Sequence, residues 1–151
     1  MSVSGINRTI LHVDDDRQFT RLVAHALQRK GFDVVSINDP QQALGELIRH
    51  GYRIVLLDID MPGLDGIDLL RRIKEYDGGI QVIMVTGLVT LSNAMAAFRR
   101  GAEACFFKPM DDFDPLVRSV EATFQKIEHW WSALPDLKRQ RRSAIEPAAT
   151  A

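Results

Sequence analysis

The sequence predicts an α/β domain in which a five-stranded parallel sheet is covered by five helices, in a doubly wound arrangement. The first observation behind this prediction is that five short apolar segments of strand length alternate with five longer segments whose apolar residues recur at helical spacing. The second is that glycine, proline or acidic residues follow most of these segments, as expected of short connecting loops.

Each predicted strand is an apolar segment that ends at charged or turn-forming residues. The five strands are predicted at residues 9–13, 33–37, 53–58, 81–85 and 104–107. Because a helical segment separates each pair of consecutive strands, we expect parallel pairing through right-handed crossovers. The expected strand order is 2-1-3-4-5, as in flavodoxin-like sheets.

Each predicted helix has an apolar stripe at intervals of three and four residues. The stripes run through residues 19–27, 43–48, 67–73, 91–98 and 116–131. Asp39 and Pro40 are typical of a helix N-terminus, and Gly51 is typical of a helix C-terminus. We divide the chain into one domain at residues 1–134 and a basic tail at residues 135–151, which we expect to be flexible.

The composition is that of an ordinary globular domain. Of its 151 residues, 46% are hydrophobic and 26% are charged, and the net charge of −1 provides no field that would attract nucleic acid. The single cysteine excludes an internal disulfide and is typical of a reducing compartment. No apolar run approaches the roughly 20 residues of a membrane span. We therefore expect a cytoplasmic protein that binds neither membranes nor, directly, nucleic acid.

Charged and polar residues follow or end four of the predicted strands. In strand order they are Asp14 and Asp15, Asp58, Thr86 and Lys108. Because the carboxyl ends of parallel strands share one edge, these groups are expected at a common rim. Two carboxylates about 4 Å apart repel each other by on the order of 4 kcal/mol, which a cation such as Mg²⁺ would relieve. Such a site can hold a phosphoryl group in transfer, with one carboxylate as the nucleophile.

With these residues in place, the chain resembles the receiver domains of bacterial two-component response regulators over roughly residues 7–130. Four motifs carry the resemblance, in the order and spacing typical of the family. They are Val13-Asp14-Asp15-Asp16, Leu57-Asp58-Ile59-Asp60-Met61-Pro62-Gly63-Leu64-Asp65-Gly66, Val85-Thr86-Gly87 and Phe107-Lys108-Pro109. The resemblance implies a chemotaxis-type, single-domain regulator in a phosphorelay.

The resemblance also implies roles for the residues at the strand ends. Asp58 would accept the phosphoryl group, while Thr86 and Lys108 would bind its oxygens. The ligands of Mg²⁺, direct or through water, would be Asp14, Asp15, Asp58 and the backbone carbonyl of Asp60. The Lys108-Pro109 peptide bond would be cis. The protein would not be an enzyme beyond catalysing its own phosphorylation and dephosphorylation.

The same resemblance implies the partners. A sensor histidine kinase or a histidine phosphotransfer protein would donate the phosphoryl group. An unknown downstream protein would bind the face formed by the fourth helix, fifth strand and fifth helix, including Leu88, Val89 and Phe98. A homodimer is left open, and so is a longer regulator of which this chain is the receiver part.

One position departs from the pattern of the family. Receivers usually carry an aromatic residue three positions before the lysine, and its ring turns inward on phosphorylation, but here this switch position is Cys105. Phe106 should face the opposite side of the sheet, and Phe107 lies two residues further on. The usual readout by ring rotation is therefore predicted to be absent or rerouted. His12 is expected to be a buried, hydrogen-bonded core residue.

Two other functions compete with this interpretation. Asp58-Ile59-Asp60 also resembles the nucleophile motif of haloacid-dehalogenase-like phosphohydrolases. However, Pro62 stands where that motif expects Thr or Val, and the acidic pair precedes Asp58 rather than following the lysine. A flavodoxin-like binding module would need a phosphate-binding loop after the first strand, where this chain has three acids that would repel a phosphate.

Overall fold

The computed structural model describes residues 5–87 and 90–149, with side chains described up to residue 135. Leu88 and Val89, which we assigned to the partner face, lie outside the described residues. The five strands of the main sheet are β1 (Thr9–Val13), β2 (Asp33–Ile37), β3 (Ile54–Leu57), β4 (Gln81–Thr86) and β5 (Ala104–Phe107). Their order in the sheet is β2-β1-β3-β4-β5, and all neighbours are parallel. The predicted fold class is confirmed.

The register of the sheet brings the carboxyl ends of the strands to one level. Val13, the last residue of β1, pairs with Ile37 on one side and with Leu57 on the other. At the far side of the sheet, Thr86 pairs with Phe107. The residues that follow these strands therefore meet at one edge.

The five helices are α1 (Arg17–Gln28), α2 (Ala43–His50), α3 (Gly66–Tyr76), α4 (Leu91–Arg99) and α5 (Asp114–Ala149), and a short 3-10 turn at Pro40–Gln42 precedes α2. Side chains cap several N-termini by accepting a backbone N–H, for example Asp16 for α1 and Asp65 for α3. Gly51 ends α2 with a φ of 63°, a left-handed conformation that favours glycine.

The core lies on both faces of the sheet. Side chains of α2, α3 and α4 pack on one face, together with alternate residues of the strands such as Leu11 and Val55. Side chains of α1 and α5 pack on the other face, together with the intervening residues such as Ile10 and Leu56. Since the central strands are buried on both faces, they consist of nearly continuous apolar residues.

Two helices need further description. Helix α4 has the predicted position, and Phe98, which we assigned to the partner face, is 72% exposed; Leu91 also points outward, at 80% exposure. Helix α5 continues to Ala149, through most of the segment that we set apart as a tail. Residues 137–149 include three arginines and three alanines, residue types that favour helices. The division at residue 134 and the flexibility of the segment beyond it stay predictions.

Two further features concern the loops and the chain as a whole. The Lys108-Pro109 peptide bond is cis, as predicted. Within the described residues, no helix is both long and apolar enough to cross a membrane.

His12 lies on β1 and is completely buried, as predicted. The prediction that its side chain is hydrogen-bonded is wrong. Neither ring nitrogen has a hydrogen-bond partner among the residues that the structure describes. The ring instead meets the ring of Phe19 in a T-shaped contact, with centroids 5.9 Å apart. Burial, together with the charge of Lys108, lowers the pKa of His12 from 6.5 to about 3, so that the imidazole is neutral at pH 7.

This depressed pKa predicts that His12 makes the protein acid-sensitive. The imidazole of the unfolded chain takes up a proton near pH 6.5, whereas that of the folded chain does so only near pH 3. The protein therefore keeps its full stability above the unfolded pKa and loses stability as the pH falls below it. Between pH 7 and pH 5, His12 should lower the free energy of unfolding by about 2 kcal/mol. Urea denaturation at the two pH values measures this loss.

Two variants isolate the effect. His12→Leu should show a pH-dependent loss smaller by that amount, whereas His25→Gln, which replaces an exposed histidine on α1, should behave like the wild type. An identical pH dependence in His12→Leu and the wild type would contradict the assignment.

Candidate functional site

The backbone of the site is fixed by hydrogen bonds that extend the parallel ladder beyond the strand ends. The N–H of Asp58 donates to the carbonyl of Val13 at 3.1 Å, and the N–H of Asp14 donates to the carbonyl of Ile37 at 3.1 Å. On the other side of the site, the N–H of Lys108 donates to the carbonyl of Thr86 at 2.9 Å. The main chain therefore holds the residues after β1, β3 and β5 in a fixed relation to one another.

Gly66 allows the N-terminus of α3 to pack directly against the main chain at Asp58. A Cβ atom at this position would lie 1.9 Å from the carbonyl oxygen of Asp58 and 2.6 Å from the Cα of Ile59. The N–H of Gly66 donates to the carbonyl of Ile59 at 2.8 Å. The loop after β3 can take its course only because residue 66 has no side chain.

Three carboxylates meet at this edge. One oxygen of each of Asp14, Asp15 and Asp58 lies within 4.8 Å of the others. Asp14 is completely buried, Asp58 is 5% exposed and Asp15 is exposed. Burial raises the pKa of Asp14, and the hydrogen bonds from Lys108 and from the N–H of Asp16 offset this only in part.

The ammonium group of Lys108 offsets the charge of the buried carboxylates. Its Nζ lies 2.6 Å from Oδ2 of Asp14 and 3.5 Å from Oδ2 of Asp58. Burial alone lowers the pKa of Lys108, but the hydrogen bond to Asp14 and the two negative charges raise it overall. Lys108 is therefore held as a cation between the two carboxylates.

The carboxylate cluster fits a divalent cation of the Mg²⁺ type. All of its ligand atoms are oxygens, which hard cations prefer, and the exposed Asp15 leaves one side open to water. In addition, Oδ1 of Asp58 is buried without a hydrogen-bond partner among the residues that the structure describes. A cation held by Asp14, Asp15 and Asp58 would provide the partner that this oxygen lacks.

The other predicted site residues occupy the same region. Thr86 is completely buried at the end of β4, between β3 and β5. Asp60 is exposed and belongs to a two-residue antiparallel hairpin, in which it pairs with Asp65. A cleft of about 290 Å³ separates this hairpin from Asn93 on α4. The structure thus brings all the predicted residues to one edge of the sheet.

Cys105, which we predicted to occupy the switch position, is partly buried on β5. It packs on the face covered by α2, α3 and α4, whereas Phe106 packs on the opposite face, as the alternation of a strand requires. Phe107 is 44% exposed. Burial raises the pKa of the Cys105 thiol.

Sequence reasoning missed three residues that shape the site. Asn38 donates from its Nδ2 to the backbone carbonyl of Asp14 at 2.9 Å. Phe19 places its ring centroid 4.3 Å from Nζ of Lys108. Gly66 permits the close packing described above. Only Gly66 had a signal in the sequence, because it closes one of the four motifs that carry the resemblance.

Comparison with known proteins agrees with this geometry. The protein-family model of the response regulator receiver domain matches residues 10–121 of the chain. Among solved structures, the response regulator receiver domain protein (CheY-like) from Methanospirillum hungatei JF-1 is 26% identical. Its TM-score is 0.77, and the match covers 81% of this chain and 97% of that one.

Curated relatives are longer proteins. The transcriptional regulatory protein CpxR homolog of Haemophilus influenzae is 35% identical over 109 residues, which are 72% of this chain and 47% of the relative. The transcriptional regulatory protein CpxR of Escherichia coli K12 is 34% identical over 121 residues, which are 80% of this chain and 50% of the relative. The chain spans about half the length of these relatives.

The packing at Gly66 predicts that Gly66→Ala disrupts the site. The added methyl group would meet backbone atoms, which cannot move aside as a flexible side chain can. We expect the free energy of unfolding to fall by about 2 kcal/mol or more, as measured by urea denaturation. Gly45→Ala is the matched control, because it adds a methyl group within α2 where, among the described residues, no atom beyond its chain neighbours and the adjacent backbone of α2 lies within 4 Å. It should stabilise the protein by about 0.5–1 kcal/mol, and equal effects of the two substitutions would contradict the packing argument.

The carboxylate cluster predicts that Mg²⁺ stabilises the protein. At a Mg²⁺ concentration ten times the dissociation constant, the free energy of unfolding should rise by about 1.4 kcal/mol. Asp14→Asn should abolish this gain, whereas Asp33→Asn, at an exposed position at the start of β2, should retain it. Removal of the cation with a chelator should reverse the gain. A Mg²⁺ response that is unchanged in Asp14→Asn would contradict the site.

Proposed function

The chain belongs to the response regulator receiver domain family, and from this premise we propose that it accepts a phosphoryl group on Asp58 in a Mg²⁺-dependent reaction. The observation that carries the proposal is the cluster in which buried Asp58 lies beside two further carboxylates and an ammonium group. A carboxylate in such a cluster can act as a nucleophile, while the positive charges around it balance an incoming phosphoryl group.

In the proposed reaction, an oxygen of Asp58 attacks the phosphorus of a phosphohistidine. The phosphorus–nitrogen bond breaks, the electron pair leaves with the imidazole nitrogen, and an acyl phosphate forms on Asp58. Mg²⁺ bound to the carboxylate cluster would neutralise phosphoryl oxygens. Lys108, which already lies near Asp58, and the hydroxyl of Thr86 would contact the remaining oxygens.

We further propose that the phosphoryl donor is a sensor histidine kinase or a phosphotransfer protein, and that the reaction takes place in the cytoplasm. Phosphorylation would change the binding of a downstream protein to the face of α4, β5 and α5. Exposed apolar side chains on this face support such a role, among them Phe98 at 72% and Phe107 at 44% exposure. A homodimer through this face is the alternative partner.

In this proposal, the protein acts as a regulator rather than as an enzyme that turns over a substrate. In a stand-alone regulator, partner binding is the whole output, whereas in a longer regulator an attached effector would respond to the same change. A haloacid-dehalogenase-like phosphohydrolase remains the rival function. The order of the acidic residues argues against it, because Asp14 and Asp15 lie on the segment after β1, before Asp58 in the chain.

The proposal predicts that acetyl phosphate labels the protein once. With Mg²⁺ present, intact-mass measurement should show one added phosphoryl group on the wild type and none on Asp58→Asn. Asp60→Asn is the matched control: it removes an exposed carboxylate two residues away, whereas the expected ligand at that position is the backbone carbonyl. It should still be labelled.

The same preparation distinguishes the rival. Steady hydrolysis of para-nitrophenyl phosphate that depends on Asp58 would favour the phosphohydrolase, and labelling without steady hydrolysis would favour the receiver. Equal labelling of the wild type and Asp58→Asn would overturn the proposed acceptor.

A further inference from the structure

We propose that Phe19 is a positioning residue for Lys108: its ring holds the ammonium group at the site and lets it move from Asp14 to the phosphoryl group. This inference rests on the proposed function, because it assigns a role within the transfer to Asp58. Phe19 belongs to α1 and carries no polar atom in its side chain. It would therefore act only through the face of its ring.

The Lys108 ammonium group lies between two carboxylates and an aromatic ring. One donates to Oδ2 of Asp14 at 2.6 Å, and Oδ2 of Asp58 lies 3.5 Å from the same nitrogen. The centroid of the Phe19 ring lies 4.3 Å from Nζ, within the range of a cation–π contact. The Lys108 side chain is only 18% exposed, so the ring takes the place of water that would otherwise solvate the cation.

Two neighbouring rings and the capped first turn of α1 hold the ring of Phe19 in place. The ring of His12 on β1 meets it in a T-shaped contact at 5.9 Å, and Phe113, just before α5, lies at a centroid distance of 6.2 Å. The backbone N–H of Phe19 donates to the capping carboxylate of Asp16 at 3.1 Å, which fixes the first turn of α1. The ring is 9% exposed. A contact held in this way can orient the ammonium group.

An aromatic ring suits this position better than a polar group would. During the transfer, Lys108 must exchange part of its hydrogen bonding with Asp14 for a phosphoryl oxygen. A polar partner would compete for the ammonium protons and hold them in one direction. The face of a ring attracts the cation without accepting a directed hydrogen bond, so Nζ can shift over it while it remains stabilised. Without the ring, we expect Asp14 to retain Lys108 and the transfer to slow.

The experiment replaces Phe19 in the 151-residue chain by phenylalanines that carry one, two and three fluorine atoms. Fluorine weakens the negative face of the ring but changes its volume little. The rate of Mg²⁺-dependent labelling of Asp58 by acetyl phosphate should fall stepwise with each fluorine, to a total of about 2- to 10-fold. Phe19→Leu should be at least as slow as the trifluorinated variant.

Phe124 provides a matched control for the fluorine series. It is a buried phenylalanine on the same face of the sheet, stacks on Phe32 and has the guanidinium carbon of Arg8 5.0 Å from its ring centroid. Fluorination there changes a cation–π contact that is remote from the site, so the labelling rate should stay unchanged. If the Phe19 series shows no stepwise fall, or if the Phe124 series falls equally, the inference is overturned.

A second measurement tests the contact without reference to the reaction. The ring current of Phe19 should shift the NMR signals of the Lys108 ε-methylene protons upfield, and Phe19→Leu should remove the shift. Signals that are the same in both proteins would overturn the inference even if labelling proceeds. If the wild type labels normally and the Phe19 series is flat, only this inference fails. If the wild type is not labelled at all, the proposed function fails and the inference fails with it.

Discussion

The ion pair between Lys108 and Asp14 stabilises a group of like charges that would otherwise be unfavourable at the end of a sheet. Asp14 is completely buried and Asp58 nearly so, and water therefore solvates neither carboxylate well. Lys108 comes from a different strand and reaches both of them. The parallel sheet makes this contact possible because it brings distant residues to one edge. Asp14 and Asp58 are 44 positions apart in the sequence, and Asp58 and Lys108 are 50 positions apart.

The framework around this ion pair is rigid where the charges meet and open where they face solvent. Backbone hydrogen bonds join the ends of β1, β2 and β3, and Gly66 lets α3 pack against the main chain that follows β3. By contrast, Asp15 and Asp60 are exposed on the open side. The same edge thus combines fixed anionic groups with an open side, an arrangement that supports the proposed phosphorylation of Asp58.

The sequence predicted the fold and the residues of the site because both follow from local pattern. Apolar segments followed by Asp58 or Lys108 identify strands. Because the carboxyl ends of parallel strands share an edge, the same segments also indicate which polar residues lie together. It did not predict contacts that depend on packing across elements. The ring of Phe19 belonged to an ordinary helical stripe, and nothing in that stripe indicated that it would face Lys108 rather than only other apolar groups. The lack of a hydrogen-bond partner for either ring nitrogen of His12, within the described part of the chain, was missed for the same reason: its burial was predictable, but its neighbours were not.

Cys105 gives this receiver a property that an aromatic residue at the same position would not provide. It is the single cysteine of the chain, it is only partly buried, and it lies on β5 beside the helices that cover one face of the sheet. Because the pKa of its thiol is raised by burial, it should react slowly with thiol reagents while that face is closed. The rate of its alkylation therefore reports how often the structure opens locally around β5, and it can be measured in the unmodified protein without a spectroscopic label.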